Sequence, residues 1–174
     1  QGHDQVFYYW LDANNGNDSN DASDLANAIQ SFNKLHELIA EKRTYGRCEV
    51  NLRGTFTNPF LDFTQHSFIN WDPFFFYINY VTFYGNNECT INIENNLFDD
   101  GSNDRFENGY NVSDQSAIQL FRSNSPLYFD GITFNIGNTA SILLDRIDCY
   151  FYECVFNHAG NFYNQPSILS SNSI

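Results

Sequence analysis

The sequence predicts an all-β protein, a parallel β-helix of about five coils entered through one N-terminal capping helix. Three observations predict it. Two adjacent stretches, "AIQLFRSNSPLYFDGITFNIGN" (117–138) and "SILLDRIDCYFYECVFNHAG" (141–160), repeat one another. Within each, apolar residues alternate with polar ones, which is the signature of strands with one buried face. Ahead of them a single stretch carries the 3.6-residue period of a helix.

The repeat sets the coil length. Ile118 and Leu120 match Ile142 and Leu144 at an offset of 24, and Leu127, Phe129, Ile132 and Phe134 match Cys149, Phe151, Cys154 and Phe156 at an offset of 22. A coil of that length cannot bury its inner face alone, so coils stack and like side chains form ladders. Tyr128 and Tyr150 then fall on the outer face. In "YINYVTFYGNNECTINIEN", Ile78, Val81 and Phe83 take the places of Phe129, Ile132 and Phe134, followed by Cys89, Ile91 and Ile93. "CEVNLRGTF" places Cys48, Val50 and Leu52 inward. Parallel crossovers are right-handed almost without exception, so the solenoid is expected to be right-handed.

The chain divides accordingly into an N-terminal strand and turn (1–20), a capping helix (21–45) and β-helix coils (46–174) with an acidic loop insertion at 94–114. Leu25, Ile29, Phe32, Leu35 and Ile39 form the helix's apolar stripe, with Asp21 or Ser23 as N-cap and Gly46 past its end. Lys42 and Arg43 complement the dipole at its C-terminus. His36 lies beside the stripe and is expected to be structural.

Composition narrows the function. At 174 residues, 42% hydrophobic and 18% aromatic, the chain is one foldable domain and not a disordered one. A net charge of −13 with 8 Lys+Arg argues against nucleic acid and anionic lipid, because counterion release needs basic residues. No run approaches the roughly 18 apolar residues of a membrane span. With no Met in the chain, Gln1 reads as the first residue of a processed, secreted protein. Two sequons, at Asn17 and Asn111, and an even number of cysteines (Cys48, Cys89, Cys149, Cys154) agree with an extracellular or cell-surface glycoprotein. Four cysteines allow three pairings. Cys48–Cys89 is favoured, because both open inward-facing strands, while at least one of Cys149 and Cys154 is expected free or bonded elsewhere.

"WLDANNGNDSNDASDLANAIQSF", followed by "RCEVNLRGTF" and "VTFYGNNECTI", resembles the opening of right-handed parallel β-helix proteins, the pectate-lyase-like superfamily. In that family an Asp-x-x-x-Gly-x-Asp-x-Asn turn, here Asp12, Gly16, Asp18 and Asn20, precedes the capping helix. The resemblance implies a fold more than an activity. The family's polysaccharide lyases use a calcium-binding carboxylate cluster and an arginine base. Arg122 and Arg146 share a coil position here and would stack beside Asp145 and Asp148, where turn residues neutralised by aspartate are the simpler account. Its hydrolases use carboxylates on adjacent coils and a Gly-His-Gly; Asp99-Asp100-Gly101 and Asn157-His158-Ala159-Gly160 do not reproduce that set.

Two further surfaces are candidates. The acidic loop carries Asp99, Asp100 and Asp104, hard oxygen donors for which Ca²⁺ is the one cofactor this sequence suggests. The run 71–80, with Trp71, Phe74, Phe75, Phe76 and Tyr77, is aromatic on both faces, one face for the core and one for an assembly contact. Near the C-terminus, Ser167-Ile168-Leu169 repeats Ser141-Ile142-Leu143, so another coil begins with no cap after residue 160. The function expected is a non-enzymatic extracellular structural or adhesive module without catalytic residues. It would self-associate end-to-end into a fibre or join a larger extracellular assembly. The competing reading is a polysaccharide-active enzyme, lyase or hydrolase, or a carbohydrate-binding module.

Overall fold

Eleven elements follow one another along the chain: β1 (Val6–Asp12), α1 (Phe32–Glu41), β2 (Gly46–Thr57), β3 (Leu61–Phe63), β4 (Ile78–Ile93), β5 (Ala117–Ser123), β6 (Leu127–Ile136), β7 (Ala140–Asp145), β8 (Cys149–Tyr152), β9 (Val155–His158) and β10 (Ile168–Ser171). They come from a computed structural model, which describes residues 6–41, 46–59, 61–63, 78–94, 117–123, 126–137, 140–145, 148–159 and 168–171. The protein is mostly β, with one helix among the described residues. Two sheets take up the strands, in the orders β1-β2-β4-β6-β8, with β9 also on β6, and β10-β7-β5-β3. Every strand pairing is parallel. From β2 onward the chain visits the two sheets in turn.

The inward positions of the larger sheet build the core as columns. Phe7, Cys48, Val81, Leu127 and Cys149 lie in register across its five strands, as do Tyr9, Val50, Phe83, Phe129 and Phe151. Phe56, Ile91, Phe134 and Phe156 form a third column. The rings of Phe83, Phe129 and Phe151 stack at 5.1 and 5.3 Å, and Phe134 stacks on Phe156 at 5.1 Å. Offset stacking of this kind adds about 0.5–1.5 kcal/mol per pair to the burial of the rings.

A break in alternation recurs at one place in each strand. Phe129 and Ile132 are three residues apart, which in an unbroken strand would put them on opposite faces, yet both are buried. Gly131 between them has φ +63°, and this left-handed residue resets the alternation. Asn86 and Asn87 (φ +49° and +59°) and Glu153 (φ +49°) occupy the corresponding places in β4 and the β8–β9 link, and in β2 Gly54 (φ +87°) lies one position further on, in register with Cys89 and Ile132. The strands β2, β4, β6 and β8–β9 therefore turn at about the same point.

Three sequence expectations are corrected. Val81 and Phe83 lie opposite Leu127 and Phe129, not in the places of Ile132 and Phe134. Cys89, Ile91 and Ile93 belong to the same long strand, opposite Ile132, Phe134 and Ile136. The cause is the Gly85–Glu88 loop-out, which stands where β6 has Gly131 alone. In the smaller sheet Ile118 faces Ser141 and Leu120 faces Leu143, one residue off the expected offset of 24. Ile142, Leu143 and Leu144 are all apolar, so alternation could not choose between neighbouring registers there.

The third correction is the helix, which begins at Phe32 and not at residue 21. Ser31 caps it, its hydroxyl accepting the Lys34 N–H at 3.1 Å. Phe32, Leu35, Leu38 and Ile39 are buried, but Leu25 is 40% exposed and Ile29 is in an extended bridge beside Leu11. Competing hydrogen bonds explain this: Trp10 N–H donates to Ala22, Asp12 N–H to Ile29, and Ile29 N–H to Trp10. The outer edge of β1 is thus already taken by segment 22–29, which cannot also be helix. Residues 42–45, with Lys42 and Arg43, lie outside the described residues.

Candidate functional site

The quoted turn proves to be a cover for the first strand. Asp12 is buried and accepts the backbone N–H groups of Asn14 and Asn15, both at 2.9 Å. Asp18 reaches 12 and 13 residues ahead to accept Gln30 N–H at 2.8 Å, Ser31 N–H at 2.9 Å and the Ser31 hydroxyl at 2.6 Å. Asn20 donates to the Ala28 carbonyl. Burial alone would raise both carboxyls, but the hydrogen bonds, helped by Arg53 near Asp12 and Lys34 near Asp18, leave each below its ordinary value. A lowered folded pKa means stability that is fully present above the unfolded value and lost as the pH falls through the folded one. In acid titrations below about pH 4, Asp18→Asn is expected to flatten the loss of stability seen in the parent. Parallel curves, read by urea unfolding at each pH, would contradict this linkage.

Burial raises the pKa of all four thiols, two of them only partly buried. All four cysteines are free. The favoured Cys48–Cys89 pairing is corrected by the register: Cys48 faces Val81 and Cys89 faces Gly54. Six residues of β2 separate those positions, roughly 20 Å of extended strand at about 3.3 Å each, against the roughly 7 Å a bridge tolerates. Burial pushes the Cys89 and Cys149 thiols up to about 12. Cys48 is raised by burial as well, and so is Cys154, which bonds the Phe129 carbonyl at 3.4 Å.

Asn17 is exposed, and its side-chain oxygen accepts both the Ser19 N–H at 2.9 Å and the Ser19 hydroxyl at 2.8 Å. The sequon's own residues thus hold each other in an open turn. Asn111, the acidic residues Asp99, Asp100 and Asp104, and the aromatic run Trp71, Phe74, Phe75, Phe76 and Tyr77 all lie outside the described residues. Arg146 does too, and Arg122 stands opposite Asp62 and Asp145, so the expected arginine pair is not the register of this sheet. His36 is fully buried, its Nδ1 donating to the Phe32 carbonyl one turn back. Among the described residues no three His, Cys, Asp or Glu side chains are grouped to hold a metal, and no helix is long and apolar enough to cross a membrane.

A different surface stands out. The outer face of the larger sheet carries Tyr8, Trp10, Tyr80, Tyr84, Tyr128, Tyr150 and Tyr152. Tyr128 meets Tyr80 edge-on at 5.5 Å and stacks on Tyr150 at 4.8 Å with the planes 12° apart. At the row's other end the Arg47 guanidinium donates to the Tyr80 hydroxyl at 3.0 Å and lies 5.9 Å from its ring centre. Burial, and then the Glu49 and Asp130 carboxylates, raise the Tyr84 phenol above its usual pKa. A cleft of about 540 Å³ follows this row to the β8 edge, lined by Tyr84, Tyr128, Tyr150, Tyr152 and one carboxylate, Asp130. A second, of about 300 Å³ beside the start of α1, is lined by Gln30, Ser31, Asn33, Thr55 and Asn58 and holds no carboxylate. Alternation alone placed Tyr128 and Tyr150 outside; that the row ends in a bare edge needed the strand order.

No protein-family model, curated protein or solved structure matches the chain.

Proposed function

We propose that this chain is a right-handed parallel β-helix acting as a non-enzymatic structural or adhesive module of an extracellular or cell-surface glycoprotein. The observation that carries the reading is the strand order: from β2 to β8 successive strands alternate between two wholly parallel sheets, β9 continuing β8 in the larger one, and like residues stack from one to the next. A chain that returns again and again to the same two sheets is what a solenoid does. The asparagine ladder of Asn92, Asn135 and Asn157, amide to amide at 3.1 and 3.0 Å, supports it on the outer surface.

Glycosidic cleavage by paired acids needs two carboxylates about 5–9.5 Å apart across a substrate groove. Neither described cleft offers more than one. That favours a module that assembles over one that cuts polysaccharide. Among the described residues the two ends of the larger sheet differ, β1 being covered by segment 22–29 and β8–β9 pairing with β6 alone, which favours a place in a larger assembly over a homopolymeric fibre.

The test has two arms. Incubation with polygalacturonate, with and without Ca²⁺, is expected to release neither reducing ends nor unsaturated product above the blank. Turnover in either assay would overturn the non-enzymatic reading. Intact mass of native material is expected to show glycan at Asn17; unmodified Asn17 and Asn111 would overturn the glycoprotein assignment.

A further inference from the structure

The larger sheet stops at β8 and β9, and among the described residues neither pairs with any strand but β6. Among the described residues its last rung is uncovered. Tyr150, Tyr152, Val155 and Phe156 are 45, 65, 52 and 37% exposed, in contrast to Phe129 and Phe134 at 0% one strand back. Each ring of that rung stacks on β6, Tyr150 on Tyr128, Phe151 on Phe129 and Phe156 on Phe134, and Phe151 meets Phe156 edge-on at 5.0 Å. Three ring faces and a row of backbone groups therefore point the same way, out of the end of the sheet.

We infer that this edge takes up an extended strand of a basic partner protein, one that alternates aromatic residues with lysine or arginine. Charge selects the partner. Residues 126–137 and 148–159, which form this edge and its neighbour, contain Asp130, Asp148 and Glu153 and no Lys or Arg, on a chain of net charge −13. A second copy would bring the same carboxylates to the same place. Nor does a copy have a free matching edge over Trp10–Asp12, where segment 22–29 already supplies the hydrogen bonds. Geometry selects the pattern. Adding a strand to an exposed edge gives affinity through the backbone and specificity through alternate side chains. The rung asks for aromatic-x-aromatic to meet Tyr150 and Tyr152 on either side of Phe151, then a Gly or Asn to follow the left-handed turn at Glu153, then an aromatic for Phe156. The inference rests on reading the open end as the assembly surface, and is independent of whether any glycan is cleaved.

The experiment titrates the full chain into a short fluorescein-labelled peptide that alternates phenylalanine with lysine and threonine around a central glycine. Saturable binding is expected. It should weaken about tenfold when glutamate replaces lysine, and fall as salt rises. Methylating alternate backbone nitrogens of the peptide should abolish it, because the ladder then lacks donors. Tyr152→Lys and Val155→Lys, both at well-exposed positions, should each weaken it while leaving the far-ultraviolet circular dichroism unchanged. No binding, equal binding of the glutamate peptide, or indifference to methylation would overturn the inference. So would a chain that dimerises alone in sedimentation and loses the dimer on Val155→Lys, which would make a second copy the occupant. Polysaccharide turnover would overturn the proposed function and leave this inference standing; failed peptide binding without turnover would do the reverse.

Discussion

Phe129→Ala is expected to lower the unfolding free energy by about 3–5 kcal/mol, at the upper end of the usual cost of a phenylalanine truncation. The side chain is fully buried and stacks on Phe83 and Phe151 while meeting Phe134 edge-on at 5.6 Å. Removing it opens a void in the middle of a column, where the rings above and below are fixed by their own strands and cannot close the gap. Against the 5–15 kcal/mol typical of a domain, that loss leaves a marginal fold. Tyr150→Ala, on the outer face of the neighbouring strand, should cost under about 1 kcal/mol. Urea unfolding of both variants checks the contrast, and similar losses would mean that the inward and outward faces are misassigned.

Gly16→Ala should cost about 3 kcal/mol, although it adds only a methyl group in a surface turn. Any Cβ there would overlap the backbone carbonyl oxygens of Ile29 and Asp12, which no side-chain rotation can relieve. Those two carbonyls belong to the hydrogen bonds that hold segment 22–29 against β1, since Asp12 N–H donates to Ile29 and Gly16 N–H to Asp12. The variant is expected to loosen the cover over the first strand, seen as faster amide exchange at Trp10, Asp12 and Ile29. Unchanged exchange at these three amides would show that the turn does not hold the cover in place.

How much could be read without coordinates depended on what lay between the strands. β6 and β8 follow each other closely, so the offset of 22 from Leu127 to Cys149 was visible as a repeat. The same column advances by 33 from Cys48 to Val81 and by 46 from Val81 to Leu127, because long connections intervene. Alternation survives such insertions and periodicity does not, which is why inward residues were identified in β4 but assigned to the wrong rungs. The helix start was misplaced for a different reason. Leu25 and Ile29 fall on a helical period, but Asp18 and Asn20 bind the backbone of residues 28–31 from a distance in sequence that no local pattern reports. The aromatic rung at β8–β9 and its acidic setting emerged only once the strand order placed Tyr150, Phe151 and Phe156 last among the described strands of the larger sheet.

Everything above, the ring columns as much as the bare edge, depends on β6 and β8–β9 being parallel neighbours at an offset of 22. Thiol cross-linking measures that directly. Asn135 and Asn157 lie opposite each other on the exposed face, their amides joined at 3.0 Å. Neighbouring strands sit about 4.8 Å apart, inside the range a disulfide spans. Under mild oxidation, the double variant Asn135→Cys with Asn157→Cys is expected to form the bond between the two introduced thiols, located by peptide mass mapping. Asn135→Cys with His158→Cys, one residue out of register and on the opposite face, should not. A bond formed in the second pair and not in the first would contradict the register, and with it the stacked fold and its open edge.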